Sequence, residues 1–70
     1  MTRLRLHSGI YSRDAVDQVA LLLRDYGQVE VSEADGYMTV ALTAVAGVDE
    51  AELAGEFANH ALVATLQEAA

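Results

Sequence analysis

Cysteine and proline are both absent from this chain. Without cysteine there is no disulfide, no thiolate metal site and no cysteine nucleophile. No linker, low-complexity stretch or repeat divides the chain, so residues 1–70 are expected to form one domain. Basic residues are scarce and one-sided. The four are all arginines, at or before Arg24, whereas eight of the eleven acids lie beyond Gly27. Phosphate backbones and anionic lipids are bound by clustered lysine and arginine, so a net charge of −7 argues against nucleic acid and membrane surfaces as partners. Long apolar runs are missing too. Val19 to Leu23 is far short of the roughly 20 residues that a spanning helix needs. The N-terminus alternates, Arg3-Leu4-Arg5-Leu6, and lacks the apolar block of a signal peptide. A cytoplasmic protein is the resulting expectation.

Small size has its own consequence. A chain of 70 residues buries only about 60% of its unfolded surface and is marginally stable by itself. Disulfides are excluded, and His7 and His60 lie too far apart in sequence to suggest a metal site. A partner or a second copy is the remaining source of extra stability.

What is present is a clear order of elements. Thr2 to Ser8 alternates, with Leu4 and Leu6 on one face and Arg3, Arg5 and His7 on the other, as in a half-buried strand. Gly9 breaks it. Ser12 is placed as a helix N-cap, with Asp14 in the first turn and Tyr11 and Val16 as a hydrophobic staple. Val16, Val19, Ala20 and Leu23 recur at helical spacing as the buried stripe. Gly27 stands where a C′ residue with positive φ would end that helix. Gln28 to Glu33 alternates again, with Val29 and Val31 inward. Asp35-Gly36 then predicts a type I′ hairpin turn into a strand from Tyr37 to Ala44. That strand buries Met38, Val40 and Leu42. Asp49 and Glu52 have capping-box spacing, and a second helix runs from Glu50 almost to the end with Phe57 at its core. Gly55 inside it costs about 1 kcal/mol relative to alanine, which suggests close packing there against the first helix or a neighbour.

Handedness of the crossover completes the assembly. A right-handed connection makes the first two strands parallel, and the third fits between them antiparallel to both. The expected fold is α+β, β-α-β-β-α: two helices on one face of a three-stranded antiparallel sheet in order 1-3-2. This is a truncated ferredoxin-like fold, and its missing fourth strand leaves the edge of the first strand open.

No catalytic constellation is visible: there is no glycine-rich phosphate loop and no Ser/His/Asp set at workable spacing. Asp49, Glu50, Glu52 and Glu56 cluster at a helix start, where acids suit the dipole and face solvent. The expectation is therefore a protein that is no enzyme and needs no cofactor. Two surfaces remain for binding. One is the open first strand, with Arg3 and Arg5, and Tyr37 on the same outer sheet face. The other is the second helix, with Glu56, Asn59, His60 and the apolar Leu62, Val63 and Leu66.

Ile10-Tyr11-Ser12 before an alanine-rich helix, the short hairpin and Gly55-Glu56-Phe57-Ala58-Asn59-His60-Ala61-Leu62 resemble the HxsD family of His-Xaa-Ser systems. The likeness runs from about Ile10 to Leu66. The family's last helix ends in arginine, whereas Leu66-Gln67-Glu68 stands here. The resemblance implies a small accessory protein encoded beside radical SAM proteins, with the iron–sulfur clusters held by those enzymes. It singles out Tyr11, Ser12, Glu56, Phe57, Asn59 and Leu62. The expected function is a non-catalytic adaptor that binds a radical SAM maturase or its precursor peptide. The alternative is a structural homodimer or oligomer, paired through the open strand or the second helix.

Overall fold

A computed structural model describes residues 1–69. The elements are β1 (Thr2–His7), α1 (Arg13–Leu22), β2 (Gly27–Ala34), β3 (Tyr37–Ala44) and α2 (Glu50–Ala69). The sheet has the order β1-β3-β2, and both edge strands run antiparallel to β3. This is the expected α+β arrangement.

Strand register follows from the alternation. Leu4 pairs with Val40 and Leu6 with Met38, while Val29 pairs with Leu42 and Val31 with Val40. A slip of one residue would turn every one of these side chains to solvent. The hairpin between β2 and β3 turns on Asp35 (φ 55°) and Gly36 (φ 80°). Two positive φ values are what a type I′ turn requires, and Asp and Gly tolerate them.

Helix α1 starts at the predicted cap. The Ser12 hydroxyl accepts from the Ala15 N–H at 3.0 Å, a bond of the kind whose loss costs about 1 kcal/mol. Ala15, Val16 and Val19 are its buried residues. The end of α1 differs from the expectation. Gly27 is not a left-handed C′ residue; it is buried in the first position of β2, and its φ is not positive. A Cβ at Gly27 would lie 2.7 Å from the Thr43 carbonyl oxygen and 2.9 Å from Leu53 Cδ2. Glycine is needed there for space, because β2, β3 and α2 converge on it.

At the start of α2, Asp49 Oδ1 accepts from Ala51 N–H at 2.9 Å and Glu52 N–H at 3.2 Å. Phe57 is fully buried among Leu6, Val16, Val19, Met38, Val40, Leu42 and Leu53. Gly55, by contrast, makes no close packing: a Cβ there would meet nothing within 4 Å. It lies on the solvent side of α2, so the predicted small-residue contact with α1 is absent.

Thr65 ties the two helices at their far ends. Its Oγ1 accepts from the Ser12 N–H at 3.1 Å and its hydroxyl donates to the Ala61 carbonyl at 2.8 Å. With Glu50 beside Thr2 and Thr65 beside Ser12, α2 runs along β1 in the same direction. Both helices cover one face of the sheet, and the other face is bare. Among the described residues, no helix is long and apolar enough to cross a membrane.

Candidate functional site

The bare sheet face carries the first group of candidate residues. His7 stands opposite Tyr37 in the register, and Arg5 stands opposite Thr39, diagonal to Tyr37. Diagonal neighbours on one sheet face are within reach of long side chains. Accordingly the Arg5 guanidinium lies 4.0 Å above the centre of the Tyr37 ring. The His7 ring meets the same ring edge-on, with centroids 5.1 Å apart. His7 Nδ1 is occupied by the Gly9 N–H at 2.9 Å, which fixes the ring. Arg3 stands opposite Ala41 and borders a shallow groove with Glu30, Ser32 and Thr39.

The arginines differ in their pairing. Arg13 is paired with Asp17 at 3.1 Å and approaches Glu33 at 3.6 Å. Arg3 and Arg5 have no carboxylate within ion-pair distance among the described residues, although acids outnumber arginines eleven to four. They form a small cationic stripe on the strand whose outer edge is unpaired.

Helix α2 carries the second group. Glu56 Oε2 lies 3.4 Å from His60 Nε2, one turn apart and exposed to solvent. Asn59 is exposed beside them. His60 and Val63 line a groove with Gln18 and Leu22 of α1. Glu56 also borders a groove of about 400 Å³ floored by Leu23 and Leu53 and rimmed by Tyr26, Asp49 and Glu52. The six candidate residues therefore fall on two separate surfaces. Arg3, Arg5 and Tyr37 share the bare sheet face; Glu56, Asn59 and His60 share the solvent side of α2.

A third surface comes from packing. Leu62 lies two residues beyond His60, about 200° round the helix. It therefore looks away from α1, toward the space beside the free edge of β1. Leu62 is 37% exposed and Leu66 is 61% exposed. Ile10, which follows β1, is exposed as well. Leu62 is thus the apolar residue on the β1 side of α2, whereas Leu66, half a turn round from the buried Phe57, faces away from the sheet.

Glu50 departs from the solvated-acid reading. Its Oε1 accepts from the Thr2 hydroxyl at 2.6 Å and lies 3.1 Å from the Met1 amine, and its Oε2 accepts from the Ala44 N–H at 3.1 Å. The Thr2 bond, the Ala44 bond and the amine together hold its pKa at about 2, against an ordinary 4.5. Glu50 is a structural tie between α2, β1 and β3. Its partners lie 48 and 6 residues away, so no local pattern marks it. Among the described residues, no three His, Cys, Asp or Glu side chains gather as a metal set. No family model, curated protein or solved structure matches this chain.

Proposed function

We propose that this chain is a non-catalytic adaptor of a cytoplasmic peptide-modification system, holding a precursor peptide, a maturation enzyme or both. The observation that carries this reading is the unpaired edge of β1, with the exposed Leu62 on the flank of α2 that looks away from α1. A strand edge next to an apolar flank offers backbone hydrogen bonds and burial together, which suits an extended polypeptide. The separation of the candidate residues supports it further. A protein that brings an enzyme and a peptide together needs two faces. The sheet side, with Arg3, Arg5 and Tyr37, serves the peptide. The solvent side of α2, with Glu56, Asn59 and His60, serves the enzyme. The likeness to HxsD points to a radical SAM enzyme as that partner.

The test is a calorimetric titration of the purified chain with the precursor peptide and with each enzyme encoded beside it. Saturable binding to at least one of them is expected. For an enzyme contact, the Glu56→Ala/Asn59→Ala double variant should stay folded and bind it several-fold more weakly. No measurable binding to any of these proteins rejects the adaptor reading.

A further inference from the structure

We infer that the β1 edge accepts an extended protein segment in which apolar residues alternate with acidic ones, added as a fourth strand. The inference rests on the adaptor reading and specifies the chemistry of its peptide.

The two edges of this sheet are not equivalent. On β2, Glu33 sits at an inward position, opposite Met38. It is held there by Ser8 Oγ at 3.1 Å and by Arg13. A charge pointing inward is one of the devices that keep an edge from pairing. On β1 the inward residues are Thr2, Leu4 and Leu6, and none is charged. The free backbone groups of β1 are therefore open to a strand, and those of β2 are guarded. An added strand would also lie beside the Leu62 flank of α2, so apolar inward residues suit it by covering Leu62.

Its outward residues would stand beside Arg3 and Arg5. Neither of these two arginines has a carboxylate partner, so acidic residues there gain two new pairs. Charge also decides against a second copy on this edge. Twofold antiparallel pairing of two β1 strands, with apolar residues kept inward, has two registers of longest overlap. One sets Arg3 against the second copy's Arg5. The other sets Arg5 against Arg5 and Arg3 against His7. Like charges directly opposite are destabilising. The β2 edge of another copy is a weaker fit, because Glu30 is the only acid among its outward residues Gln28, Glu30, Ser32 and Ala34.

The experiment uses the whole chain and three capped hexapeptides: alternating valine and glutamate, alternating valine and lysine, and the first composition with its valines and glutamates in two blocks. Fluorescence anisotropy reads affinity and amide exchange reads protection of β1. The alternating acidic peptide should bind about tenfold or more tighter than the lysine peptide, since two cross-strand charge pairs change from attractive to repulsive. It should also slow exchange of amides in Thr2–His7. Arg3→Glu/Arg5→Glu should reverse the preference. Leu62→Ser should weaken binding, and Leu22→Ser, on the α1 side, should not. Equal affinity for the acidic and block peptides overturns the inference, as does binding without protection of β1. A dimer or growing polymer by light scattering whose contact protects β1 overturns it in favour of a second copy. If the precursor or enzyme binds normally to Arg3→Glu/Arg5→Glu, the edge inference falls while the adaptor reading stands.

Discussion

The Glu50 carboxylate receives a hydrogen bond at each oxygen, from the Thr2 hydroxyl and from the Ala44 backbone. Bonds to the ionised form favour ionisation, and the pKa falls to about 2. A carboxyl whose folded-state pKa is depressed stabilises the fold above its unfolded value and loses that contribution as pH falls. Stability should therefore decline between about 4.5 and 2. Urea unfolding of Glu50→Gln should show a flatter dependence on pH across that window than the wild type. A wild-type-like slope in the variant would remove Glu50 as the cause. Arg5 contrasts with Glu50. Alternation alone put it on the outer sheet face with Tyr37, and the register of β1 on β3 then set it above the ring.

Two glycines show how differently one residue type acts within an element. Gly55 is helical with open space where a Cβ would go. Alanine there restricts the unfolded chain and suits the helix, so Gly55→Ala should stabilise by roughly 0.5–1 kcal/mol. Gly27 faces the Thr43 carbonyl and Leu53. Backbone cannot yield as a flexible side chain does, so Gly27→Ala should destabilise by about 1–3 kcal/mol. Paired urea titrations should move the two midpoints in opposite directions; a shared direction would contradict these environments. The hairpin and both helix starts were legible in the sequence because their signals are local: Asp35-Gly36, Ser12 and Asp49 act within a few residues. The roles of the two glycines were not legible. Thr43 and Leu53 reach Gly27 only after β3 and α2 have folded back, and helical spacing alone does not say which side of α2 is covered.

One core serves all five elements, and Phe57 is the largest side chain fully inside it. A domain this small commands about 3–5 kcal/mol of stability, while truncating a buried phenylalanine costs about 3–5 kcal/mol. Phe57→Ala should therefore be largely unfolded at 25 °C, and Phe57→Leu should keep a cooperative but earlier transition. Far-ultraviolet circular dichroism against urea checks this; a Phe57→Ala midpoint near the wild type's would show that the core does not depend on the ring.

The element order, the strand order and the inward face of each strand follow from the sequence, because periodicity, turn chemistry and crossover handedness are local or topological constraints. So does the acidic character of the molecule. Tertiary structure alone decided the rest: that Glu50 is a tie, that Gly27 is a packing contact, and that Leu62 is left exposed on the side of α2 away from α1. Each depends on distances between residues far apart in the chain, and such distances exist only once the helices have settled on the sheet.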